Sequence, residues 1–212
     1  MLIKLASLAA LAAFTVLPHD PLPDLAVGTA LPAADKKMKD VNGKEISLKD
    51  AVGKNGLLVV FSCNTCPFVV GSEGSEGWEG RYPALGAFSQ RMGVGMVLVN
   101  SNEGKRDAGD SFADMQARYK DKKYSGSYVL DAGNVVADAF GARTTPHVFL
   151  FNKDLKLVYK GAIDDNVGSA SAVKEKYLEK AISSLVEGRP IDPATTRNVG
   201  CSIKRVAVEH KH

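Results

Sequence analysis

Cys63-Asn64-Thr65-Cys66-Pro67 is the stretch of this sequence best equipped for chemistry. Two thiols with a two-residue spacer can close into a disulfide and reopen, and a thiolate at such a site can attack a foreign disulfide. A helix is expected after Pro67, and its unpaired N–H groups and positive dipole end would stabilise that thiolate. Cys63 lies outside the first turn and is expected to be the exposed nucleophile. Cys66, nearer the helix axis, suits the resolving thiol. Zinc is the competing use of the spacing, but zinc takes four ligands, and no second Cys-x-x-Cys or suitably spaced His pair accompanies the first. No metal and no cofactor is therefore expected. The third cysteine, Cys201, is read either as a second resolving thiol or partner for Cys63, or as an inert tail thiol. Thr144-Thr145-Pro146 stands before an apolar run, where a cis X-Pro bond is expected at a strand entrance. A proline there leaves neighbouring carbonyl and amide groups free to pair with an extended peptide substrate.

The elements around these residues alternate strand and helix. Residues 57–61 form a continuous apolar run, as in a strand buried on both faces, and Cys63 follows its carboxyl end. Asn42-Gly43 marks a two-residue hairpin turn before that strand. After Pro67 a short helix is expected, weakened by glycines at 71, 74, 77 and 80. A helix over 82–91 and a buried strand over 94–99 follow. Phe112, Met115, Gln116 and Tyr119 mark the next helix face. A short strand over 128–130, a short helix over 134–140, and paired strands over 147–151 and 155–159 come next. An amphipathic helix over 172–187 is ended by Gly188 and Pro190. This order implies an α/β fold, a mixed sheet with helices on both faces and the site at strand carboxyl ends.

The full length is 212 residues, with 27 Lys and Arg against 24 Asp and Glu. That is one domain with extensions, and too little positive charge for a nucleic-acid partner. Residues 1–17 carry one lysine ahead of a 13-residue apolar run. As a helix that run spans about 20 Å, short of a hydrocarbon core of about 30 Å. It reads as a signal peptide, set against an uncleaved tether or a packed helix, so export to a periplasmic or other extracytoplasmic space is expected, with no stable membrane span afterwards. Residues 18–35 read as a Pro-rich linker, 36–188 as the domain, and 189–212 as a basic, irregular tail carrying Cys201.

Taken together, Phe61-Ser62-Cys63-Asn64-Thr65-Cys66-Pro67, Val99-Asn100-Ser101-Asn102, Thr144-Thr145-Pro146-His147, Tyr159-Lys160-Gly161 and Gly200-Cys201-Ser202-Ile203-Lys204 resemble the thioredoxin superfamily. The resemblance runs over about residues 40–190 and is to its redoxin, peroxiredoxin-like branch. It implies a thioredoxin-like fold: three layers, α/β/α, with a central mixed sheet and an N-terminal β-hairpin extension. It implies Cys63 as attacking thiol, Cys66 as its partner and Pro146 as a cis-proline facing them. It also implies a thiol-disulfide oxidoreductase working on protein thiols or disulfides, or with a partner reductase.

Two alternatives stand beside that reading. A peroxiredoxin-like peroxidase would use Cys63 on a peroxide, with Arg143 supplying positive charge; Thr145 and Cys201 are further auxiliary candidates at the site. However, Val60 stands where the peroxiredoxin pattern places Thr. The other alternative is a non-catalytic metal- or partner-binding module. The strand over 57–61 carries no carboxylate to accept the second thiol's proton, so Glu73, Glu76 or a water is expected instead. His147 is read as a strand histidine with a local hydrogen bond rather than a copper ligand. Asp164-Asp165 is expected to be a solvated turn, and Trp78 a core anchor or a neighbour of the site.

Overall fold

In a computed structural model, Leu22 and residues 24–206 are described. The signal-peptide reading of residues 1–17 lies outside them. Nine strands and five α-helices are present among the described residues. The main sheet has seven strands in the order β2-β1-β5-β4-β3-β7-β8. These are β1 (Met38–Asp40), β2 (Glu45–Ile46), β3 (Gly56–Ser62), β4 (Val94–Asn100), β5 (Ser127–Leu130), β7 (His147–Asn152) and β8 (Leu157–Gly161). Strands β3, β4 and β5 run parallel, whereas β1, β7 and β8 join antiparallel to their neighbours. The sheet is mixed, and β1–β2 form the expected N-terminal hairpin at one edge.

Alternation along β3 builds two cores. Leu58 and Val60 face one side, where they meet α1 (Pro67–Val70), α2 (Tyr82–Arg91), α3 (Phe112–Asp121) and α5 (Tyr177–Val186) through Val69, Leu85, Met115 and Ile182. Leu57, Val59 and Phe61 face the other, against α4 (Val135–Phe140) and the leading segment. There Phe61, Phe140, Phe149 and Phe151 pack edge to face. Each fully buried phenylalanine contributes about 1.5–3 kcal/mol from apolar burial. Both faces of β3 are therefore dry, which is why its sequence is unbroken apolar rather than alternating.

Three stretches depart from the sequence expectation. The linker residues 25–34 are packed: Leu25 and Leu31 are buried, and the backbone of Gly28 and Leu31 donates to Leu157 and Leu155. The closing helix begins at Tyr177 rather than 172. Tertiary bonds hold the residues before it in extended form, with the Lys174 amide on the Asp165 carboxylate and the Asp165 amide on the Glu175 carbonyl. The tail is not irregular throughout. Cys201–Ser202 forms β9, paired antiparallel with β6 (Thr144–Thr145).

Candidate active site

Strand register assembles the site. Phe61 in β3 pairs with His147 in the antiparallel β7. Continuing that register past both strand ends brings Cys63 beside Thr145. The Thr145–Pro146 peptide is cis, as expected. All three cysteines are free thiols. Cys63 Sγ lies 3.2 Å from Thr145 Oγ1, and the Cys66 thiol lies 3.1 Å from the Thr145 carbonyl oxygen, to which it donates when protonated. Cys63, Cys66, Thr145 and Pro146 therefore come together. Cys201 joins them: β9 pairs Cys201 with Thr145, and Cys201 packs against the apolar cluster that holds Cys63 and Cys66.

Within the pair, Cys66 is the thiol whose proton is held more weakly. The Cys63 thiol, then the Cys201 thiol, the Thr145 hydroxyl and the Cys201 amide, offer it hydrogen bonds and hold it down to about 5 against the effect of burial. The Thr145 carbonyl favours the neutral thiol instead, and the donors outweigh it. Cys63 is pushed far up, because its proton is held by Cys66 and because it is buried near the Asp110 charge. The two titrate as a pair sharing a proton. This corrects the expectation that Cys63 is exposed: Cys63 is 1% exposed and Cys66 2%. Helix α1 has only four residues, and Cys66 as its N-cap makes no side-chain capping bond. The charge is placed first by Cys63 within the motif and then by Cys201 and Thr145 on other elements, and the Cys-x-x-Cys spacing does not encode the latter two. Burial, followed by the neighbouring Cys66, pushes Cys201 up to about 11.

Asp110, fully buried, holds the loop between the two cysteines. Its carboxylate accepts from the Asn64 amide at 2.7 Å, the Thr65 hydroxyl at 2.7 Å, Asn100 Nδ2 at 2.8 Å and Asn102 Nδ2 at 3.1 Å. Tyr128 Oη donates to Asn64 Oδ1 at 3.0 Å. Arg106 ties Asn100 Oδ1 to the Asp110 carbonyl. The sequence reading missed Asp110. The available signal was the Asn-x-Asn at 100 and 102, at the end of a strand parallel to the cysteine strand, with an acid a few residues on.

Other expected residues lie elsewhere. Arg143 is exposed, and its guanidinium donates to the Leu22 carbonyl, so it does not supply charge to Cys63. Glu73 and Glu76 are exposed, and Glu76 receives the Ala170 amide rather than a thiol proton. Asp164 is buried, not a solvated residue: Trp78 Nε1 donates to it at 2.7 Å and Arg81 pairs with it at 2.7 Å. Trp78 is a core anchor in the same apolar cluster as both cysteines. His147 Nδ1 is buried without a hydrogen-bond partner, and the ring packs at a tilt against Phe149 instead. The strand edge beside Pro146 is not free for a peptide, because β9 occupies it. Among the described residues, no group of three or more His, Cys, Asp or Glu is arranged to hold a metal ion. No helix among them is long and apolar enough to cross a membrane.

The Redoxin family model matches residues 26–178, most of the chain. The chain belongs to the Redoxin family. Its general chemistry is that of a thiol oxidoreductase. An uncharacterized conserved protein from Geobacillus kaustophilus is 29% identical, with a TM-score of 0.76 over 86% of this chain and 93% of its own. Peroxidoxin BcpB from Mycobacterium tuberculosis is 14% identical, with a TM-score of 0.55 over 78% and 99%. The exposed lipoprotein thioredoxin of Streptococcus pneumoniae is 20% identical, with a TM-score of 0.52 over 73% and 99%. These last two share the fold. This redoxin chain has the thioredoxin-like architecture, with its layers, mixed sheet and hairpin extension. A search among curated proteins found no match.

Proposed function

We propose that this redoxin is an exported thiol-disulfide oxidoreductase whose Cys63 and Cys66 cycle between dithiol and disulfide on protein substrates. One observation carries the reading. Both sulfurs converge on Thr145, beside the cis-proline, at 3.2 and 3.1 Å. The export part rests on the composition of residues 1–17 alone.

The chemistry follows from the shared proton. The pair's anion attacks a substrate disulfide and forms a mixed disulfide, expelling the other substrate sulfur as a thiolate. The second thiol of the pair then attacks the linked cysteine, and the substrate leaves reduced. The family resemblance gives the first attack to Cys63. Cys66 is the more readily ionised of the pair, and one proton shift between the two thiols passes the charge to Cys63. Thr145 Oγ1 is placed to donate to Cys63 as it becomes negative. Asp110 fixes the spacer so that both sulfurs stay within reach of one another.

The peroxidase alternative gains one feature and lacks another. Thr145 brings a hydroxyl to Cys63 that Val60 does not, but Arg143 points away. The test is reduction of insulin disulfides with dithiothreitol as the electron source. Cys63→Ser and Cys66→Ser are each expected to lower the rate by about 100-fold or more. Wild-type turnover no faster than dithiothreitol alone, alongside rapid peroxide consumption, would move the assignment to the peroxidase.

A further inference from the structure

The edge beside the cis-proline, where an extended substrate segment would pair, is filled by the chain's own residues 200–205. Strand β9 sets Ser202 against Thr144 and Cys201 against Thr145. The Ile203 amide donates to the Arg143 carbonyl at 2.9 Å. Contact at Gly200 is so close that an added Cβ would sit 2.3 Å from the Thr145 oxygen, the same oxygen that faces Cys66. Ile203 is buried in the second core, Arg205 pairs with Asp138 at 2.7 Å, and the Lys204 amide donates to Asn102 Oδ1 at 3.0 Å. Asn102 also donates to Asp110, so one polar network holds both the cysteine loop and the tail. The segment is fastened from both sides, and the residue it brings to the site is a cysteine.

We propose that residues 200–205 act as a built-in substrate strand and that Cys201 is a third redox thiol, exchanging with the Cys63–Cys66 disulfide to form a Cys66–Cys201 disulfide. The proposal rests on the dithiol reading above, which supplies the oxidised pair. Cys201 loses its proton, and its thiolate attacks Cys66 Sγ. The Cys66–Cys201 bond forms as the Cys63–Cys66 bond breaks. Cys63 leaves with the electron pair and takes up the released proton. One disulfide exists before and after, so no further oxidant is consumed. Cys66 is suited to be the shared sulfur, since its thiol lies 3.1 Å from the Thr145 carbonyl, Cys63 lies 3.2 Å from the Thr145 hydroxyl, and β9 pairs Cys201 with that same residue. The exchange carries the oxidised state from a fully buried pair to a bond that includes a partly exposed residue, Cys201. There a reductant can reach it without opening the core.

The test uses the full chain oxidised with glutathione disulfide, quenched in acid, alkylated and digested without reductant for mass spectrometry. Cys63→Ser is expected to give Cys66–Cys201-linked peptides as the main product of the monomer. Gly200→Ala in the Cys63→Ser background, which pushes β9 away from Thr145 without altering a sulfur, is expected to lower that yield at least about fivefold. Circular dichroism checks that each variant is folded. A folded Cys63→Ser monomer whose Cys66 carries only glutathione, with Cys201 free, overturns the proposal. Cys201→Ser separates the two readings. If it still forms Cys63–Cys66 and reduces insulin while Cys63→Ser forms no internal bond, only the tail proposal fails. If Cys63–Cys66 never forms, the dithiol reading fails as well.

Discussion

Asp110 and Cys66 are the two residues whose chemistry is set most strongly by partners distant in sequence. Asp110→Ala would strand the Asn64 amide, the Thr65 hydroxyl and two asparagine amides in a buried site. An unsatisfied buried donor costs about 1–3 kcal/mol, and water entering the gap recovers part of the total. The variant is therefore expected to lose about 3 kcal/mol in urea unfolding at neutral pH. Asp110→Asn offers one acceptor and two donors where four donors converge, so it should rescue little. At Cys66, thiolate alkylation of the reduced chain should rise with a midpoint near pH 5 and stay level above it. Peptide-resolved iodoacetamide labelling against pH reads this directly. A midpoint near the ordinary thiol range would contradict the donor set described above. Of this scale, the sequence disclosed the thiols and the proline but not the distribution of charge. Which sulfur ionises depends on Cys201 and Thr145, 135 and 79 positions away from Cys66.

At the scale of elements, β3 and β7 were legible because burial on both faces forces an apolar run that no amphipathic helix mimics. Their antiparallel register supplies the site, and an unbroken apolar run does not encode register. The start of α5 departs from the expectation because helix propensity at 172–176 is overridden by bonds to Asp165, whose amide donates to the Glu175 carbonyl and whose carboxylate accepts from the Lys174 amide. β9 was missed because a two-residue strand has no period to detect. His147 gives this scale its prediction. Burial, with Lys160 and Arg143 nearby, holds its imidazole down to about 4. Above pH 6.5 it is neutral in both folded and unfolded chains and adds no pH dependence. Between 6.5 and about 4 the unfolded chain binds a proton that the folded chain refuses, so stability falls as pH falls. The loss approaches about 3 kcal/mol at the acid end. Urea melts from pH 7 to 4 should show that slope, and His147→Leu should flatten it by a comparable amount.

Across the whole molecule, the two cores divide the work. One encloses the thiols together with Trp78 and the long helices, and the other, built on phenylalanines, anchors the sheet and the tail through Ile203. The fold class followed from the order of strands and helices because each crossover in such a chain has few geometric solutions. The packing of residues 25–34 and of the tail did not follow, since Pro-rich and basic composition suggests solvent, whereas single apolar residues such as Leu31 and Ile203 dock into gaps along the sheet. The placement of β9 also has a bearing on biogenesis. Ribosomes deliver the cysteine loop well over a hundred residues before the strand that covers it. Until residues 200–205 are made, the edge beside the cis-proline has no strand of this chain to fill it. Maturation of this protein thus includes a last act of self-shielding, performed when residues 200–205 emerge and settle against the cis-proline.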